Sequence, residues 1–265
     1  MDKKGKQNLI EDLSLKSFIK NLASELFHLD SKIVQTLSVL FKKPGYLTSI
    51  YFDLTEHKYV QPLKLYFIIN FIFFLLIPVL NTPQFQIFNF NMKSLTGSSK
   101  TYQEIIEYGI KSSKVSKEIY EERFNAHLKY NQPAFLFVTI PFFALLLNVV
   151  NLKNKKYYLE HLIFSVHYLS FVLLFLLLII VLFRIVKIFL NSISIAGGFL
   201  GFIIIAVITF GLFFYHFFSL KKFYKSKILV GLLKSTVLFT GFIFTIVVYV
   251  KFLFFYTVLA LMFGY

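Results

Sequence analysis

From residue 62 onward the hydrophobic positions neither alternate nor keep to one face; they run in long blocks separated by short polar stretches. Blocks of about 20 apolar residues have the length at which a helix crosses a hydrocarbon core. Four can be bounded: Pro62–Leu80, Ala134–Val150, Leu159–Phe183 and Ile193–Leu220. A fifth runs from Leu229 to Tyr265 with Lys234 and Lys251 as its only charges. Straight, it would measure about 55 Å against about 30 Å of hydrocarbon, so a bend or return segment is expected after Lys251. A β-barrel would show short alternating strands instead. The expected fold class is therefore all-α, a polytopic transmembrane helical bundle of about five spans.

The pattern divides the chain into 1–61, cytoplasmic amphipathic or interfacial helices, and 62–265, a transmembrane domain with an outer helical loop at 81–133. In the first part Leu9, Leu13, Leu22, Leu26 and Phe27 fall near helical spacing. Asp30-Ser31 reads as a break and a fresh N-cap, and Ile33, Val34, Leu37, Leu40 and Phe41 continue the stripe until Lys42-Lys43-Pro44-Gly45 stops it. Such helices lie in the headgroup layer or pack on the cytoplasmic ends of the spans. In the outer loop, Ile105, Ile106, Ile110, Val115, Ile119, Phe124 and Leu128 recur among charges, which predicts one or two surface helices. Gly197, Gly198 and Gly201 form a small-residue patch suited to close helix packing.

Composition supports the membrane reading: 57% of residues are hydrophobic, 15% charged, and the mean hydropathy is +0.70. With no cysteine, disulfide scaffolds, thiolate metal sites and Cys nucleophiles are excluded. No secretory signal is recognised ahead of the first block, so that block is expected to be retained as an anchor. The net charge of +15 is scattered through loops flanking the spans, without a nucleic-acid-binding motif, so no nucleic acid is expected. Orientation follows from the short loops. Lys153, Lys155, Lys156, Lys221, Lys222, Lys225, Lys227 and Lys234 lie on one side and only Arg184 and Lys187 on the other, which predicts a cytoplasmic N-terminus. The expected partners are the lipid bilayer and membrane proteins, a second copy included.

Ionisable side chains inside a membrane are costly, so each is a functional candidate. After Glu122 the chain contains one acid, Glu160, whereas a membrane aspartyl protease needs two in its spans. No His-Glu-x-x-His, Gly-x-Ser-x-Gly or Walker motif occurs. Glu160 and His167, seven residues apart, lie about 20° apart around a helix, whereas His161 lies about 120° from His167. With His216 on the fourth span, Asn70 on the first and Asn148 on the second, they form a candidate polar cluster in the cytoplasmic half. One reading has Glu160, His161 and His167 binding a divalent metal, or Glu160 and His167 passing a proton. The other has each group hydrogen-bonding a neighbouring helix. No cofactor beyond that candidate metal is expected.

Three stretches carry a resemblance. They are Phe27-His28-Leu29-Asp30-Ser31-Lys32 on to Lys43-Pro44-Gly45; Tyr59-Val60-Gln61-Pro62-Leu63-Lys64-Leu65-Tyr66; and Tyr158-Leu159-Glu160-His161-Leu162-Ile163-Phe164-Ser165-Val166-His167 with Ser170-Phe171. They resemble an uncharacterised bacterial polytopic membrane family catalogued as a domain of unknown function. Many of its members carry an N-terminal zinc ribbon, which a chain without cysteine lacks. The family also tends to place a further histidine where Leu169 stands, and its absence weakens a metal site. The resemblance implies a fold and a bacterial plasma membrane, and names no activity.

The leading expectation is a non-catalytic multi-pass component, an accessory or scaffold protein or a small permease. The alternative is a metal-assisted membrane-embedded enzyme using Glu160, His161, His167 and His216.

Overall fold

The computed structural model describes residues 31–52, 58–80, 100–189 and 197–263. Among them there is no strand. The helices are α1 (31–42), α2 (Tyr46–Tyr51), α3 (Pro62–Leu80), α4 (Lys100–Ser113), α5 (Lys117–Leu136), α6 (Thr139–Val150), α7 (Tyr158–Phe189), α8 (Gly197–Tyr224) and α9 (Ile228–Met262). Five stretches are long and apolar enough to span a membrane: α3, the α5–α6 pair, α7 as far as Val186, α8 from Phe202, and α9. The protein is an all-α, multi-pass membrane bundle. Phe71, Val79, Phe202 and Phe244 stand on its outer surface, as expected of helices that meet lipid.

Helix α7 packs against α3, α6 and α8, and α9 against α5, α6 and α8. The seam between α7 and α8 is filled by rings. Phe171 lies flat on Tyr215 at a centroid distance of 3.3 Å, and Tyr168 stacks on the other side of this group at 6.4 Å from Tyr215.

The N-terminal stripe, as far as it is described, packs on the bundle. Leu40, Leu47 and Thr48 are buried, and Phe41 meets Phe171 at 5.1 Å. Helix α1 stops because Pro44 lacks an amide hydrogen and Gly45 adopts φ +74°, a left-handed conformation natural to glycine. The turn they make presses on α8: a Cβ on Gly45 would lie 2.6 Å from the backbone oxygen of Ser219. The stripe expected at residues 9–27 lies outside the described residues, as does the side-chain environment of the Gly197–Gly201 patch.

Two expectations need correction. The second span does not begin afresh after the outer loop. Helix α5 starts at Lys117, capped by the Ser116 hydroxyl on Ile119 N–H, and continues through Pro133 before the chain breaks at Phe137 and Val138. Nor does the fifth span bend after Lys251, because α9 is one helix of 35 residues. Its final turns pack on α4 and α5: Phe254 meets Tyr102 of α4 at 4.7 Å and Phe124 of α5 at 5.9 Å. Leu253, Phe254, Val258 and Leu261 are buried in a three-helix unit with α4 and α5, whereas Phe252, Phe255, Leu259 and Phe263 stay exposed, so packing on protein takes up part of the hydrophobic length beyond Lys251.

Candidate functional site

Glu160 is the third residue of α7. Its Oε2 accepts the Tyr157 N–H at 2.8 Å, and its Oε1 accepts from Lys156 Nζ at 2.6 Å. This is the return half of a capping box: a carboxylate one turn into the helix satisfies an orphan amide at its start and sits favourably in the helix dipole. The acid that stood out in the sequence therefore closes its own helix.

The histidines go to separate partners. His161 Nδ1 and the Tyr224 hydroxyl at the end of α8 are 2.6 Å apart, with the two rings nearly parallel. His167 Nδ1 lies 3.0 Å from Thr48 Oγ1, tying α2 to α7 in a buried contact. His216 is fully buried among the rings of Phe143, Phe164, Tyr168 and Phe239. Neither of its ring nitrogens has a hydrogen-bond partner among the described residues. The same holds for the hydroxyls of Tyr168, Ser219 and Ser235.

Asn70 serves the break between α5 and α6. There Phe137 N–H bonds Ala134 O, leaving Pro133 O without that intrahelical donor; Asn70 Nδ2 donates to it at 2.9 Å. Tyr249 of α9 donates to the neighbouring Gln132 O at 3.0 Å, and Thr139 to Leu136 O at 2.6 Å. A broken helix within a membrane is tolerable when its freed carbonyls find donors of this kind.

Asn148 is half-buried on α6. The buried amide in that region is Asn151, whose Nδ2 donates to Leu147 O at 2.9 Å while Lys234 of α9 donates to its Oδ1 at 2.9 Å. Asn151, Tyr224, Thr48 and Tyr249 were missed by sequence reasoning. Tyr224 and Thr48 carried no signal beyond their own polarity. Asn151 could have been found from its place just after α6, where an amide satisfies orphan carbonyls.

The candidate cluster is thus a series of separate ties. Among the described residues no three His, Asp or Glu side chains gather as a metal ligand set would. The structure does not bring Glu160, His161 and His167 to one point, because the two histidines, nearly two turns apart on α7, go to partners on α8 and α2 and Glu160 folds back on Tyr157.

No curated protein and no solved structure matches the chain. Residues 30–74 match the family described as "Protein of unknown function (DUF3667)". The match takes in Asp30 to Gly45 and Tyr59 to Tyr66, two of the stretches that carried the resemblance, and leaves residues 158–171 outside it. Through α1, α2 and most of α3, the chain is similar to a family of unknown function.

Proposed function

We propose that the protein is a non-catalytic component of the plasma membrane, an accessory or scaffold subunit, whose end preceding α1 is cytoplasmic. The observation that carries this reading is the separate engagement of Glu160, His161 and His167. Glu160 caps α7, His161 holds Tyr224 and His167 holds Thr48. Groups spent on such ties stabilise helix packing and are poorly placed to share one substrate. The ring-filled seam between α7 and α8 favours the same reading over a permease, since a solute path would need to part Phe171 from Tyr215. Orientation is supported by the lysines of the α6–α7 and α8–α9 connections.

Complementation of a deletion strain tests the first part. His167→Gln and Glu160→Gln, each with folded yield measured, should rescue as well as the parent. A variant that folds normally and fails to rescue would overturn the reading. So would near-stoichiometric metal in the purified protein that disappears in His161→Ala/His167→Ala. The absence of cysteine makes orientation directly measurable. On intact cells an impermeant maleimide should label Lys111→Cys and spare Lys153→Cys; the reverse pattern refutes a cytoplasmic N-terminus.

A further inference from the structure

The turn between α1 and α2 and the C-terminal turn of α8 meet at one end of the bundle, around an open cavity of about 660 Å³. Lys43 reaches it from the first element and Lys221, Lys222 and Lys225 from the second. Pro44, Tyr46 and Phe218 complete the wall, and among the described residues that line it none is acidic. Lys43 Nζ stands 5.3 Å from the centre of the Tyr46 ring. Among the described residues none of the four ammonium groups is paired with a carboxylate; the Glu160 carboxylate is taken by Lys156.

Lysines in the last turn of a helix at a membrane interface are ordinary, since the helix dipole and the orientation rule both favour them. Those effects account for each lysine singly, Lys43 included, since it directly follows α1. They do not account for the concave shape that gathers the lysines of two distant segments around one cavity. Like charges around one cavity repel unless an anion sits among them. Lys225 lies at φ +51°, a left-handed helix-end conformation that an L-residue adopts at a cost and that Lys114 and Lys155 share at +55° and +48°.

The depth of the cavity indicates what kind of anion would fit. Phe218, one turn before Lys221 and Lys222, lies half-exposed on the apolar part of α8. With a membrane boundary at the end of α8, the cavity would straddle hydrocarbon and headgroup, with cations at one level and an aromatic ring at the next. Basic pockets between helices at this level suit lipid headgroups. We propose that this cavity binds the phosphodiester headgroup of an anionic phospholipid, held by the four lysines, with the first acyl methylenes against Phe218. The proposal requires a membrane boundary at the end of α8 and does not depend on the non-catalytic reading.

The test is native mass spectrometry of the full chain released from vesicles of phosphatidylglycerol and phosphatidylcholine in equal parts. The parent should retain phosphatidylglycerol in preference to phosphatidylcholine. K43Q/K221Q/K222Q/K225Q should bind it at least about tenfold more weakly. The same four positions changed to Arg should retain it, as should K153Q/K155Q/K227Q, which removes charge at the same end outside the cavity. K225G frees the strained backbone while deleting one charge, so it should unfold no earlier than the parent and still bind more weakly. It carries the test if the fourfold variant fails to fold. Equal retention of the two lipids would overturn the proposal, as would equal loss in the control triple variant. Inorganic phosphate should leave the lipid adduct in place; displacement by it would assign the cavity to a free anion instead.

Discussion

Gly45→Ala is the sharpest probe of how the N-terminal segment is attached. Two costs add. An L-residue at φ +74° is strained by about 1–2 kcal/mol. The new Cβ would also stand 2.6 Å from Ser219 O and 2.9 Å from Ser219 Cα, both backbone atoms of a packed helix that cannot swing aside. Forcing a methyl group into such a contact costs about 1–3 kcal/mol. The expected loss is therefore about 2–5 kcal/mol, limited above by the free energy that holds α1 and α2 on the bundle. Gly241→Ala is the control. Its Cβ would meet only Leu146 Cδ1, at 3.0 Å, the far end of a flexible side chain, and its φ is not in the left-handed range. Since alanine favours the helix by about 0.5–1 kcal/mol, that change should be near neutral. The assay is thermal unfolding in detergent followed by tyrosine fluorescence, with amide exchange in α2 to detect local release. A Gly45→Ala protein as stable and as protected in α2 as Gly241→Ala would refute the reasoning. Gly45→Asn separates the terms, because asparagine tolerates the backbone conformation and still makes the contact.

Other contacts make equally specific demands. A double-mutant cycle of Thr48→Val and His167→Leu should return a coupling of about 0.5–1.5 kcal/mol in thermal stability, and additivity would mean the 3.0 Å contact contributes nothing. His216→Leu should be neutral or stabilising by about 1 kcal/mol, because it removes buried nitrogens unpartnered among the described residues. A clear loss in the melting profile would show that His216 has a partner the packing does not reveal. Asn151→Ala should cost about 1–2 kcal/mol, since it strips the Leu147 carbonyl of a donor and Lys234 of an acceptor. Asn148→Ala should stay within about 0.5 kcal/mol, and equal losses on denaturation would refute the distinction.

The spans were legible because lipid is a simple solvent: a helix surrounded by it must be apolar on every side for about 20 residues, and α3 follows the expected Pro62–Leu80. Glu160 was legible as special, since lone acids in apolar surroundings are costly, but not in its role. Its spacing to His167 suggested a shared face, while the capping bond to Tyr157 depends on where the helix starts, and helix starts are poorly marked in apolar sequence. Thr48 and Tyr224 were illegible for a different reason. Their partners lie far away in sequence, and nothing in one chain's pattern says which helix sits beside which. Asn148 and Asn151 differ by one turn of helix, enough to decide which amide is buried and too little for periodicity to resolve near a helix end.

The overlong fifth span failed as a prediction because hydrophobicity was equated with lipid. Past Tyr249, α9 buries Leu253 and Phe254 against protein. Several ties gather just before this stretch. Asn70 of α3 holds Pro133 O, and Tyr249 of α9 holds Gln132 O, so two spans grip adjacent carbonyls just before the α5 break. A helix that breaks in a membrane exposes carbonyls that cost free energy unless donors reach them, so these bonds make the break tolerable. They also fix the direction in which α5 leaves the bundle. Beyond this point α4, α5 and the end of α9 close on Phe124 and Phe254. The unit formed by α4, α5 and the end of α9 is consequently continuous with the rest of the bundle through two helices, α5 as far as the break and α9 throughout, with no flexible linker at either of them.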